Sequence, residues 1–313
     1  MELSSHLKGR DFLRIADWAP ADILAVLDLA AELKRLRSQR AAHALLPGRS
    51  VGLVFEKPST RTRVSFAVGV AELGATAVPL ATGDMQLGRG ETIRDTAVVL
   101  SRYLDTVVIR TFRQTDVDEL ADHASIPVVN ALTDEYHPCQ ALADALTIRE
   151  RFGGFEGVRV AYVGDGNNVC HSLMAVCAAL GIGFTAATPP GYEPMADSVT
   201  QAREAARAAG APLELLRDPR EAVRGADVVY TDVWTSMGQE DESERRRRDF
   251  DGYRVDVELL ALAGDRAIVM HDLPAHYGEE ITEDVLHGPR SAAWDQAENR
   301  LHAQKALLAL IVR

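Results

Sequence analysis

The sequence predicts an α/β protein of two doubly wound domains, each a parallel sheet flanked by helices, with the active site in the interdomain cleft. Three observations carry that expectation. Short β-branched runs alternate with segments of helical period along most of the chain. The strands read as continuous apolar stretches such as Val51-Gly52-Leu53-Val54, the pattern of strands buried on both faces. With 313 residues, 47% of them hydrophobic, the chain can bury one large core or two of about 150 residues each.

Ala19-Pro20-Ala21-Asp22 starts an amphipathic helix to about Lys34, with Ile23, Leu24, Val26, Leu27 and Leu29 at helical spacing. Strands are then expected at 51–55, 76–80, 106–110 and 126–130, with helices near 64–73 and 91–103. A second run follows, with strands near 158–163, 184–187, 213–216, 227–231 and 267–270 and helices near 169–180, 195–209 and 219–224. A helix from His137 to Phe152, ending at Gly153-Gly154, lies between the two runs. The expected domains are 1–136 and 137–290, with a C-terminal helix, about 291–313, packing back on the first. No repeat of 20–50 residues interrupts this order.

The net charge of −12 excludes nucleic acid as the main partner, because phosphate backbones need a basic footprint. The basic run Arg245 to Arg248, flanked by Glu244 and Asp249, reads as a solvated surface segment. Cys139, Cys170 and Cys177 show neither a C-x-x-C pair nor a framework spacing, as expected of a reduced cytoplasmic enzyme. No apolar signal core precedes Asp11, and no run approaches the ~18 residues of a membrane span.

Polar clusters fall at the carboxyl ends of the expected strands, where open α/β sheets bind ligands. The richest is Phe55-Glu56-Lys57-Pro58-Ser59-Thr60-Arg61-Thr62-Arg63. One hydroxyl suffices to cap a helix; three hydroxyls and two arginines at a helix start form a phosphate cradle. It is not of the Walker type, since Gly-x4-Gly-Lys-Ser/Thr is absent. Arg110 ends the third strand, either as a structural ion pair or as a second guanidinium for the same anion. His137 and Gln140 open a helix. His137 either caps it or donates to a carbonyl oxygen, and Gln140 suits an amide NH₂; together they fit a carbamoyl unit better than general-base work.

Gly164-Asp165-Gly166-Asn167-Asn168 follows a strand but lacks the third glycine and the later acid of a dinucleotide fingerprint. Asn168 suits a substrate carboxylate instead. Asp232 and Ser236, four residues apart after a strand, either form an Asx-type turn or grip an ammonium group, and Met237 contributes its backbone N–H. His271-Asp272-Leu273-Pro274-Ala275-His276 suggests a metal, but Pro274 disfavours a helix aligning the two histidines, and no further ligand pattern follows. Asp272 and the Leu273 carbonyl are better placed to accept from amine and amide groups. Arg300 in Glu298-Asn299-Arg300 would by default be a surface ion pair.

Ser-Thr-Arg-Thr-Arg at 59–63, His-Pro-Cys-Gln at 137–140, Asp-x-x-x-Ser-Met-Gly at 232–238 and Glu-Asn-Arg at 298–300 together resemble the aspartate/ornithine carbamoyltransferases. Ser-Met-Gly marks the ornithine type. The resemblance spans nearly the whole chain. It implies an N-terminal carbamoyl-phosphate domain, a C-terminal amino-acid domain, a homotrimer with shared active sites, and no metal or organic cofactor. By position it implies that Ser59, Thr60, Arg61 and Thr62 bind phosphate, and that Arg110, His137, Gln140 and Arg300, with Leu273, hold carbamoyl phosphate. It further implies that Gln86 reaches the neighbouring subunit's site, and that Asn168, Asp232, Ser236 and Met237 hold the amino acid. The implied reaction gives citrulline from ornithine, as in arginine biosynthesis. One position departs: the ornithine type usually carries His-Cys-Leu-Pro, and this chain has Asp272 in place of the cysteine. Beside the ornithine reading this leaves a second expectation, the same reaction on another amine such as a different diamino acid, lysine or putrescine.

Overall fold

The computed structural model describes residues 5–57, 59–81, 90–236, 238 and 240–312. Two compact units divide the chain, Met1–Leu146 with Glu298–Arg313, and Thr147–Ala297.

The first unit runs α1 (Pro20–Ser38), β1 (Ser50–Phe55), α2 (Thr60–Glu72), β2 (Thr76–Ala81), α3 (Ile93–Leu100), β3 (Thr106–Arg110), α4 (Gln114–His123), β4 (Val128–Leu132) and the start of α5 (Pro138–Phe152). Its sheet has the order β2-β1-β3-β4, all parallel. The chain leaves β1 to one side for β2 and returns to the other for β3, so the carboxyl ends of β1 and β3 flank the topological switch point. α1 follows from its sequence. Pro20 occupies the first turn, where its missing N–H costs nothing, and Ile23, Val26, Leu27, Ala30 and Leu33 form the buried stripe. The core beneath α3 and α4 joins Val54, Ala97, Val107, Ile109, Val117 and Leu120.

The second unit runs β5 (Arg159–Val163), α6 (Asn168–Ala179), β6 (Gly183–Ala187), α7 (Ala196–Ala209), β7 (Leu213–Leu216), α8 (Pro219–Ala222), β8 (Val228–Thr231), α9 (Ser243–Asp249), α10 (Val257–Leu260), β9 (Ile268–His271) and α11 (Glu283–Leu286). Its parallel sheet has the order β7-β6-β5-β8-β9, with the switch point between β5 and β8. Trp234 stacks on Phe250 at 5.5 Å between ring centroids. The final helix, α12 (Ala293–Val312), is shared, and its residues from Glu298 belong to the first unit.

That part of α12 packs on α2 in step along both helices. Arg300 Nη2 donates to Thr62 Oγ1 at 2.7 Å, and Lys305 Nζ to Glu72 Oε2 at 2.6 Å. Between them, a Cβ at Gly69 would lie 3.0 Å from Lys305 Cγ and 3.3 Å from Leu301 Cδ1, so glycine there sets the close approach.

The observed elements depart from the sequence reading in four places. α4 was not expected, because Val117 and Leu120 are its only large apolar residues; both are buried. The fourth strand lies at 128–132 and not 126–130, since Pro127 has no N–H for the ladder; its carbonyl accepts from Val107 N–H at 3.0 Å. The four-residue helices α10 and α11 are too short to show a period. The arginine run is not wholly a solvated segment: it forms most of α9, and Arg246 is buried. Among the described residues, no helix is long and apolar enough to cross a membrane.

A Cβ on Gly166, in the turn from β5 to α6, would stand 2.3 Å from Pro194 N and 2.5 Å from Glu193 C. Both are backbone atoms that cannot rotate away. Gly166→Ala is therefore expected to cost about 2 kcal/mol and lower Tm by about 5 °C, measured by calorimetry against the parent chain.

Candidate active site

In the first unit the expected phosphate site begins with the β1–α2 turn. Ser59 is the N-cap of α2, in extended backbone conformation, and its Oγ accepts from Thr62 N–H at 3.2 Å. That uses one hydroxyl of the three. Thr60 and Arg61 are exposed in the first turn, while Thr62 is buried. Arg63 points elsewhere, its guanidinium 5.3 Å from the ring centroid of Phe55.

Arg110, at the end of β3, donates from Nη1 to Thr62 Oγ1 at 3.5 Å, and Arg300 donates to the same oxygen at 2.7 Å. Both guanidiniums are buried, at 8% and 3% exposure. Two like charges brought out of water onto one hydroxyl are unfavourable unless an anion offsets them. The α2 N-terminus adds its partial positive charge to theirs.

His137 lies in the same field. Burial first, then the charges of Arg300, Arg110 and Arg61, hold its imidazole well below the usual histidine range. It is therefore neutral at physiological pH and has one N–H to give. Gln140, one turn on and 1% exposed, donates Nε2 to Asp144 Oδ1 at 2.9 Å. That bond fixes the amide orientation and leaves Oε1 buried without a hydrogen-bond partner among the described residues, an acceptor suited to an N–H₂ group. Cys139 is no nucleophile: burial pushes its thiol up to about 12, and Sγ donates to the Asn130 carbonyl at 3.4 Å.

In the second unit the polar residues gather at the β5/β8 switch point and the end of β9. Asn167 caps α6, its Oδ1 accepting from Val169 N–H and Cys170 N–H at 3.0 and 3.1 Å. Its Nδ2 donates to Asp232 Oδ2 at 2.7 Å, and Val233 N–H donates to Asp232 Oδ1 at 2.7 Å. Asn168 is the first residue of α6 and half-buried, as is Ser236. Past β9, Leu273 N–H donates to His271 Nδ1 at 2.9 Å, and His271 Nε2 lies 3.0 Å from Glu280 Oε1. Leu273 has φ +62°, left-handed for a branched side chain, and its peptide to Pro274 is cis. Gln86 and Met237 lie outside the described residues.

Among the described residues, two groups of three donors come within 4.8 Å, Asp232/His271/Asp272 and His276/Glu279/Glu280. In the first, both His271 nitrogens are already bonded, and the set therefore offers no open ring nitrogen to a metal ion. In the second, Glu280 Oε1 accepts from His276 N–H at 2.6 Å and from His271.

Sequence reasoning missed Asn167 and Arg246. Arg246 Nη1 donates to Asp165 Oδ2 at 2.7 Å and to the Trp234 carbonyl at 2.9 Å, and its guanidinium lies 5.0 Å from the Tyr192 ring. It thus ties the loop after β8 to the turn after β5. Burial raises Asp165 to about 6 despite this partner. The signal for Asn167 was present, as the first of two asparagines at a helix start. For Arg246 there was none, because four adjacent arginines look alike in sequence.

The family's carbamoyl-P binding domain matches residues 10–150, and its Asp/Orn binding domain matches residues 156–311. The chain belongs to the aspartate/ornithine carbamoyltransferase family. Within this family it is 58% identical over 303 residues to the ornithine carbamoyltransferase of Acidothermus cellulolyticus, covering 97% of this chain and 96% of that one. It is 52% identical to that of Pyrococcus horikoshii over 98% of this chain and 96% of that one. The solved structure of the ornithine carbamoyltransferase of Pyrococcus furiosus superposes with a TM-score of 0.95 at 51% identity, over 98% of each chain.

Two outcomes test this description. Arg246→Ala leaves Asp165 buried without its partner and is expected to cost about 3 kcal/mol; adding Asp165→Asn should recover most of that loss in a double-mutant cycle by chemical denaturation. Burial, and the charges of Lys305, Lys34 and Arg37, also lower His302 in α12 to about 3. His302 and His137 are both held neutral, so their contribution is full above 6.5 and is lost as pH falls from there toward the depressed values. Stability measured from pH 7 to 4 should decline less steeply in His302→Asn than in the parent.

Proposed function

We propose that the protein transfers the carbamoyl group of carbamoyl phosphate to the δ-amino group of L-ornithine, giving L-citrulline and phosphate. The observation that carries this reading is the meeting of Arg110 and Arg300 on Thr62 Oγ1, beside a neutral His137 and the open Gln140 Oε1. Phosphate needs the positive charges and the hydroxyl-lined helix start. A carbamoyl group needs one donor for its oxygen and one acceptor for its N–H₂. The first unit supplies each.

Ser59, Thr60, Arg61 and Thr62 hold the phosphate oxygens. Arg110, His137 and Arg300 direct donors at the carbonyl oxygen, and Gln140 accepts from the carbamoyl nitrogen. When the amine attacks the carbonyl carbon, negative charge grows on that oxygen, and preset donors there are worth several kcal/mol. The bond to the phosphate oxygen then breaks, the proton of the attacking nitrogen passes to the departing phosphate oxygen, and Arg61 with the α2 N-terminus stabilises the hydrogen phosphate dianion. Asp232 and Ser236 take the α-ammonium; Asn168 and the Met237 N–H take the α-carboxylate; the Leu273 carbonyl accepts from the carbamoyl N–H₂. No step calls on a metal or organic cofactor.

The attacking amine must be neutral. With a lysine-like value near 10.4, its neutral fraction at pH 7 is on the order of 10⁻³ or less, so turnover should rise with pH through the neutral range. The assembly that fits this reading is a homotrimer in which Gln86 serves a neighbouring subunit's site, working in the cytoplasm in arginine biosynthesis.

The reaction is tested by incubating the purified protein with carbamoyl phosphate and a panel of ornithine, lysine, shorter diamino acids and putrescine, reading ureido product colorimetrically. Ornithine is expected to be the preferred acceptor; product from another amine with none from ornithine would overturn the assignment. Arg61→Ala is expected to lower kcat/KM by about a thousandfold with little change in Tm, Arg61 being exposed.

A further inference from the structure

Glu72, the last residue of α2, joins three helices. Its Oε1 accepts from Arg37 Nε of α1 at 2.7 Å, and its Oε2 accepts from Lys305 Nζ of α12 at 2.6 Å. His43, in the loop after α1, completes the group. Its Nδ1 donates to the Ala41 carbonyl at 2.9 Å, so its Nε2 accepts from Lys305 Nζ at 3.1 Å. A second tie from α1 to α12 lies one residue before Arg300, where Lys34 Nζ donates to Asn299 Oδ1 at 2.8 Å. The Lys305 side chain is 0% exposed and that of Glu72 22%.

Stability alone is a weak reason for this group. A buried lysine is costly to desolvate, and an apolar residue would fill the same helix contact as well or better. Nor does the apolar contact set where α12 stops along α2. Lys305 Cγ and Leu301 Cδ1 lie over Gly69, which has no side chain to form a ridge. That contact fixes the distance between the helices and leaves them able to slide. The ion pair removes this freedom, because a slide would strand a buried ammonium. Arg300, earlier on the same helix, depends on the result. A slide by one residue's rise, about 1.5 Å, carries its 2.7 Å bond to Thr62 past hydrogen-bonding distance. Thr62 and Glu72 sit toward opposite ends of α2, about 15 Å apart along its axis, so the ion pair acts at a distance from the expected phosphate site.

We infer that Glu72 and Lys305 are positioning residues for carbamoyl phosphate: their ion pair sets the register of α12 on α2 and thereby holds the Arg300 guanidinium at Thr62. This rests on the anion role proposed above for Arg300. Buried polar pairs are best attested as devices that select one register among several. Here the register selected is the one that brings the second guanidinium to the start of α2. Arg37 and His43 hold the carboxylate and the ammonium from the α1 side, so the pair cannot swing away on its long side chains.

Glu72→Gln, Lys305→Met and the parent chain are to be compared by titration calorimetry with a non-hydrolysable phosphonate analogue of carbamoyl phosphate. Both substitutions are expected to raise its Kd about tenfold, the loss of one hydrogen bond to a charged group. KM for ornithine at saturating carbamoyl phosphate should stay at the parent value. A lower Tm with unchanged Kd would make the pair merely structural and overturn the inference. In an Arg300→Gln background neither substitution should lower kcat/KM for carbamoyl phosphate further; losses that multiply independently overturn it too. Glu72→Gln preserves side-chain volume and an acceptor for Lys305, so it decides the matter if Lys305→Met does not fold. A parent chain that fails to bind the analogue, or binds it and carbamoylates no amine, would count against the reaction proposed above instead.

Discussion

The first unit is organised around a repulsion. Arg110 and Arg300 reach the same hydroxyl from two elements far apart in sequence, β3 and α12, and both are taken out of water to do so. Everything near them follows from that placement. Thr62 must be buried at a helix start, Gly69 must lack a side chain so that α12 can lie close, and His137 is kept neutral by burial first and then by the guanidiniums beside it. A protein that only had to fold would be better served by apolar residues at these positions. On the reading proposed above, a bound anion would offset the two guanidiniums.

The second unit solves the opposite problem with the opposite charges. Its switch point collects carboxyl groups, and Asn167 connects the β5 turn to the β8 turn with one side chain that both caps a helix and donates to Asp232. Arg246 performs the same linking from outside, balancing Asp165 while holding the Trp234 carbonyl. The ligands of the proposed substrate are thus carried on turns, but each turn is tied to a helix end or to a buried ion pair.

Much of this was legible in the sequence because parallel strands buried on both faces announce themselves as apolar runs, and polar residues at their ends stand out against them. β1, β3, β5, β8 and β9 were all read within two residues, and with them the positions of Ser59, Arg110, Asn168, Asp232 and Asp272. α4 was hidden because a helix covering a sheet edge needs few apolar residues. Arg246 was hidden because burial of one arginine in four is decided by where Asp165 lies, 81 residues away. The closeness of Asp232 and Asp272 was likewise out of reach, since it depends on the register of two strands.

The contact between Arg300 and Thr62 spans 238 positions of the chain. On a ribosome, the hydroxyl, the helix start and Arg110 all emerge long before the second guanidinium is made. A nascent polypeptide consequently lacks this contact through most of its synthesis, and premature termination before residue 300 yields a product that has spent nearly the full translational effort without acquiring it. Contacts of such long range also place completion of this corner late in folding.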